Sequence, residues 1–143
     1  MVSGLRVQWN YFQMKGVLVT DVSAGPETAT ASRIAGIITQ GRRVALAATD
    51  ALGEVGLREE TWRILHTLSV GTGLPMSDLA GNLALPAATA TRCVDELVGS
   101  ALVYRTASPE DARQVIACLS RLGAEKLERA NAVLDARGIL RSE

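Results

Sequence analysis

Cysteine, histidine and aromatic residues are all scarce in this 143-residue chain, and each scarcity removes a class of answer. Two cysteines, Cys93 and Cys118, cannot build a disulfide framework, and with His66 as the sole histidine a four-ligand zinc site would have to lean on carboxylates, so no metal is expected. Five aromatics (Trp9, Tyr11, Phe12, Trp62, Tyr104) stand against 21 alanines, a balance that favours helix over sheet. No apolar run approaches the roughly 18 residues of a membrane span, and the N-terminus has no basic start followed by an apolar core and cleavage site, which points to a cytoplasmic protein without a membrane partner. An excess of either charge is missing too: 15 Lys and Arg meet 15 Asp and Glu, so nucleic-acid binding has to be argued from local patches. There is no paired-carboxylate cluster, no nucleophile with a base at recognisable spacing and no phosphate-binding glycine loop, so neither catalysis nor a cofactor is expected.

The length suits one compact domain, mainly α in an α+β class. Residues 1–25 differ in texture from the rest: Val7, Trp9 and Tyr11 alternate with Gln8 and Asn10, and Val17, Leu18 and Val19 follow a turn signal at Lys15-Gly16. They read as an N-terminal arm or hairpin or, equally, as a loosely ordered tail. Beyond Pro26, the three-to-four spacing of Ile34, Ile37, Ile38, Val44, Ala45, Ala48, Leu52 and Val55 predicts one long amphipathic helix over 26–55. Gly36 and Gly41 inside it each cost about 1 kcal/mol relative to Ala, which close packing against a neighbouring helix would offset.

A second helix is expected from Glu59 to Leu68, with Trp62, Leu65 and Leu68 on one face, followed by a loop over 71–75. Ser77 then caps a short helix through Leu79, Ala80 and Leu83, and after a turn at Ala84-Leu85-Pro86 a longer helix carries Ala90, Cys93, Val94 and Leu97 inward. Short helix, tight turn and longer helix make a helix-turn-helix. Residues 102–119 read as two strands around a polar tip from Ala107 to Ala112, a wing, and Ser120 caps a last helix striped with Leu122, Leu127, Ala130, Val133 and Leu134. The whole is a winged helix-turn-helix of about six helices and a two-stranded wing. Cys93 on the inner side of its helix and Cys118 on the second wing strand read as small apolar residues.

The chemistry of this lobe is that of a groove binder. Thr89, Thr91 and Arg92, beside Ala88 at the exposed start of a helix, reach base edges and phosphates when that helix lies in a major groove. Arg113 on a narrow hairpin suits the negative potential of a minor groove, and Asp111 two residues earlier would hold its guanidinium. Arg105 at the base of the wing is a candidate for a phosphate contact or for an ion pair within the wing. The plainer account makes Thr89 and Thr91 ordinary surface residues and the Asp111/Arg113 pair a surface salt bridge worth under about 1 kcal/mol. Between Val55 and Ser120 five arginines meet seven acids, so DNA binding should be of modest strength and shallow salt dependence unless a dimer doubles the footprint. That acidic balance also keeps open a protein-interaction module with weak or no DNA binding.

Several segments, in order, resemble the MarR family of bacterial winged-helix transcriptional regulators. Gly56-Leu57 with Trp62-Arg63-Ile64-Leu65 is similar to the opening of that family's second helix, and Ser77-Asp78-Leu79-Ala80 to its helix-turn-helix entry. Residues 88–92 with Val94, Asp95 and Leu97 resemble the recognition helix; Leu102, Val103 and Arg105 resemble the wing entry, and Pro109-Glu110-Asp111-Ala112-Arg113 the wing tip. The resemblance covers roughly residues 30–135. It implies a DNA-binding lobe over 57–119 between dimerisation helices over 26–55 and 120–143. It also implies a homodimer on palindromic double-stranded DNA, an arginine of the wing in the minor groove, and a repressor that answers to a small aromatic or anionic effector. Trp62 would line the effector pocket or serve as plain core. The chain departs from the pattern at Ala112, where a second basic residue is usual, at Ala101, where a glycine is usual, and at Ala84 and Pro86, where glycine and serine are commoner.

Overall fold

The computed structural model describes residues 26–140, so the expected arm or hairpin over 1–25 lies outside the described residues. Those described form five helices and three strands, one helix fewer than the sequence suggested: α1 (Pro26–Gly53), α2 (Glu59–Leu68), β1 (Leu74–Pro75), α3 (Met76–Asn82), α4 (Ala87–Gly99), β2 (Val103–Ala107), β3 (Val115–Leu119) and α5 (Arg121–Arg137). The chain divides into two units, residues 1–37 and 38–143. In the first, the described stretch is the beginning of α1, exposed from Thr28 to Ile37. The second carries the core.

Helical periodicity decides which side of each helix the core takes. Thr61, Ile64, Leu65 and Leu68 are the buried face of α2, and Ala90, Cys93, Val94 and Leu97 that of α4, in both cases the i, i+3, i+4, i+7 stripe. Of these, Ile64, Leu65, Leu68, Cys93, Val94 and Leu97 meet Leu52 of α1, Leu79 of α3, Val103 and Ala117 of the sheet, and Leu127 and Ala130 of α5 in one cluster. Burying a leucine of this kind is worth about 1.5–3 kcal/mol, so the cluster holds the second unit together. Thr61 is the buried polar member, and its hydroxyl is satisfied twice: it accepts from the Arg58 N–H at 3.1 Å and donates to the Arg58 carbonyl at 2.9 Å. That closes the N-terminus of α2, where Glu59 and Glu60 also complement the helix dipole.

The sheet corrects the sequence reading of residues 71–75 as loop. Leu74 and Pro75 pair antiparallel with Ala117 and Ile116, giving the order β1-β3-β2. A proline is tolerated there because the strand lies at an edge, where its missing N–H leaves no ladder bond open. Gly73, at φ +124°, lets the chain run against β3: a Cβ built on it would crowd the Cys118 sulfur and the Ala117 carbonyl. The Cys118 thiol donates to the Thr72 carbonyl at 3.3 Å, and both cysteines are buried and unpaired.

Helix ends show two further differences. Helix α3 begins at Met76 behind Pro75, and Ser77 lies inside it with its hydroxyl turned to Asp78, so Ser77 does not cap. Ser120 does cap α5, accepting from the Gly123 N–H at 2.8 Å while donating to the Ala101 carbonyl at 2.7 Å. In α5 the expected stripe holds at Leu127 and Ala130, but Leu122 is exposed. Arg137 in its last turn reaches back to Asp50 and Glu54 of α1, and Gly138 in a left-handed conformation ends the helix. Helix α1 stops at Gly53, short of Val55. Among the described residues nothing lies within 4 Å of a Cβ added at Gly36 or Gly41, so the close packing expected around these glycines is not formed by those residues.

Candidate nucleic-acid interface

With Ala90, Cys93, Val94 and Leu97 locked into the core, the opposite side of α4 has to face outward. Ala87, Ala88, Thr91, Arg92 and Asp95 are exposed on it, while Thr89 is half-buried. The turn that delivers α4 is held by Arg63, which donates to the Leu83 carbonyl and pairs with Glu59 at 3.2 Å. Pro86 stands at the N-cap with φ −56° and ψ 139°. The Thr91 hydroxyl donates to the Ala87 carbonyl at 2.9 Å, one turn back.

Two ion pairs fix α4 against its neighbours. Glu96 accepts from Arg58 at the start of α2, a hydrogen bond that raises the Arg58 pKa from its ordinary value against the opposing effect of burial. Asp95 accepts from Arg105 of β2 at 2.5 Å. Arg105 thus forms an ion pair, with a partner on α4 rather than on the wing.

The wing itself pairs in register from Val103↔Leu119 to Ala107↔Val115. Its tip, residues 108–114, is closed by the Ser108 N–H donating to the Gln114 carbonyl at 2.7 Å and the Gln114 N–H to the Asp111 carbonyl at 2.9 Å. Asp111 does contact Arg113, but through the backbone: Oδ1 accepts the Arg113 N–H at 3.0 Å. This is an Asx-type turn, and it replaces the expected grip of the carboxylate on the guanidinium. The lobe contains five arginines and no lysine between Leu57 and Leu119. Arg58, Arg63 and Arg105 are committed to Glu96, Glu59 and Asp95, so the cations of this lobe without an internal partner among the described residues are Arg92 on α4 and Arg113 on the wing tip.

A second feature lies on the far side of α2. A cleft of about 770 Å³ opens between α1, α2 and the end of α5, walled by Val44, Ala48, Leu134 and Ile139. Trp62 lines it, stacked on His66 with ring centroids 5.6 Å apart, and donates its indole N–H to Asn131 Oδ1 at 3.0 Å. Asp135 also lines it. The sequence points to Trp62 for such a pocket and to His66 only as a weak metal ligand, and gives no sign of Asn131 or Asp135. The i, i+4 spacing of Trp62 and His66 was the available signal, whereas Asn131 is 69 residues away in sequence. No group of three or more potential metal ligands occurs among the described residues, and no helix there is long and apolar enough to cross a membrane.

A helix-turn-helix followed directly by a β-hairpin, with α4 bare on one side, defines a winged-helix protein. The chain belongs to the MarR family of transcriptional regulators, whose family model matches residues 57–115. Its solved relatives include a probable transcriptional regulator from Pseudomonas aeruginosa, 30% identical over 78% of this chain and 83% of that one, with a TM-score of 0.64. CouR from Rhodococcus jostii RHA1, solved bound to p-coumaroyl-CoA, is 28% identical over 76% and 72% with a TM-score of 0.62. A mutant MarR from E. coli complexed with operator DNA shares the fold at a TM-score of 0.64 and 20% identity, over 80% and 79%. No curated protein matched the sequence.

Proposed function

We propose that this chain is a cytoplasmic, homodimeric repressor that binds a palindromic operator and releases it in answer to a small effector. The observation that carries the DNA-binding part is the placement of the two uncommitted arginines, Arg92 on the exposed side of α4 and Arg113 at the wing tip. These are the places from which one helix enters a major groove and a hairpin reaches the neighbouring minor groove. Ala88, Thr89 and Thr91 serve as the base-facing residues beside Arg92, Asp111 shapes the tip, and Arg105 positions the wing through Asp95. A protein of the same fold, mutant MarR from E. coli, is solved with operator DNA, which is in keeping with a DNA-binding reading.

Dimerisation is supported by α1, where Ile34, Ile37, Ile38 and Leu46 are 53–73% exposed, a run of large apolar side chains that a second copy would cover. The cleft beside Trp62 is the candidate effector site, apolar on its walls with a stacked aromatic pair and a few polar atoms. CouR, bound to p-coumaroyl-CoA, is a relative with a small-molecule ligand. The test is selection of duplexes from a random pool, followed by titration of the recovered duplex at two salt concentrations. Enrichment of a palindrome with half-sites about one helical turn apart is expected. The acidic balance of the lobe favours one rival, a protein-interaction module, and recovery of no sequence would move the assignment to it.

A further inference from the structure

We infer that the recognition helix reads thymine methyl groups, with Thr91 presenting a methyl rather than a hydrogen bond, so that the operator half-site carries thymines opposite the first turns of α4. The inference rests on the DNA-binding reading above and goes on to what that surface can recognise. Its exposed residues run Pro86, Ala87, Ala88, Thr91 and Arg92. Proline and alanine side chains offer carbon only. Thr91 has one hydroxyl hydrogen, already given to the Ala87 carbonyl at 2.9 Å, which leaves a γ-methyl and an oxygen that can accept but not donate. One turn on, Asp95 and Glu96 are bound to Arg105 and Arg58 and carry no donor.

Base edges differ in what they ask of such a surface. Guanine asks for donors at O6 and N7, and adenine for a paired donor and acceptor of the kind Asn or Gln supplies. Neither amide stands on this side of α4, and Arg92 is its one side-chain cation. Thymine alone offers a carbon group in the major groove, the C5 methyl, and Ala and Thr methyls are its natural contacts. Burial of one methyl corresponds to about a fourfold gain in affinity. Several such contacts give a preference for T-bearing steps without any direct hydrogen bond.

The experiment titrates the full-length protein against its selected duplex and against duplexes in which single thymines are replaced by deoxyuridine, which removes the C5 methyl and nothing else. Loss of about fourfold at two or more half-site positions is expected. Thr91→Val, which keeps methyls, should retain the thymine preference at its position, and Thr91→Ser, which keeps only the hydroxyl, should abolish it. Equal affinity for every uracil duplex, or a Thr91→Val variant as indifferent as Thr91→Ser, overturns the inference while DNA binding stands. Failure to bind any duplex overturns the DNA-binding reading and this inference with it.

Discussion

Ala84 and Ala101 end their helices in the same way, each in a left-handed conformation, at φ 50° and 59°. After α3 the Leu85 N–H reaches the Ala80 carbonyl at 3.0 Å and the Ala84 N–H the Gly81 carbonyl at 3.1 Å; after α4 Leu102 reaches Leu97 at 2.9 Å and Ala101 reaches Val98 at 3.0 Å. Both are Schellman closures with alanine where glycine is the usual occupant, and Gly56, at φ 68°, shows the ordinary version after α1. A Cβ in this region costs about 1–2 kcal/mol, partly offset by the lower chain entropy of alanine when unfolded. Ala101→Gly should therefore raise stability by about 0.5–1 kcal/mol, a few degrees in thermal melting, and Gly56→Ala should lower it by a similar amount. A melting temperature lowered by Ala101→Gly would contradict the account.

Arg113→Ala should weaken operator binding by about 1–3 kcal/mol and leave the melting temperature unchanged, because the residue is exposed and its guanidinium has no hydrogen bond or ion pair among the described residues. Unaltered affinity in a titration would take the wing tip out of recognition.

The salt dependence follows from the two uncommitted arginines. A dimer would bring four of them, and each phosphate neutralised contributes about −0.9 to the slope of log K against log salt, so the slope should be no steeper than about −4. A slope beyond about −6 would mean that cations outside residues 57–119 carry the contact.

Gly123 lies where α5 leaves the wing, and a Cβ there would overlap the Leu102 carbonyl and press on the Leu119 side chain. Backbone cannot yield as a side chain can, so Gly123→Ala should cost about 3 kcal/mol or more, read as a shift in the denaturant midpoint.

Asn131→Ala leaves the Trp62 indole N–H without its partner inside a half-buried contact. A loss of about 1–2 kcal/mol in global stability is expected. Chemical denaturation of the variant measures it, and no change would show that water replaces the amide at no cost.

Much of this lobe was legible because it rests on local rules. The inward residues of α2 and α4 follow from 3.6-residue spacing, the Ser120 cap from its place before a helical stripe, and the wing from two β-rich runs around a polar tip. What could not be read rests on partners far apart in sequence. A strand as short as Leu74–Pro75 exists only because β3 offers it an edge, and nothing near Arg105 in a linear reading selects Asp95 on the preceding helix. Asp111 meets the Arg113 backbone N–H and not the expected guanidinium, since spacing cannot tell one from the other. That no described residue packs on Gly36 or Gly41 is likewise beyond a linear reading. The use of Thr89, Thr91, Arg92 and Arg113 on DNA remains the proposal tested above.

The third strand changes the mechanics of the wing. Strand β3 is hydrogen-bonded on one side to Leu74–Pro75 and on the other to β2, with Ile116 and Ala117 held from both edges, while residues 108–114 project past the last paired rung. That is a cantilever, built in at its root and free at its end. The third strand supports β3 at Ile116 and Ala117 and stops short of the tip that carries Arg113. Minor grooves differ in width with their A·T content. Under the proposed DNA binding, Arg113 at that free end would adjust to such differences without disturbing the paired root, and discrimination between operators would rest on α4.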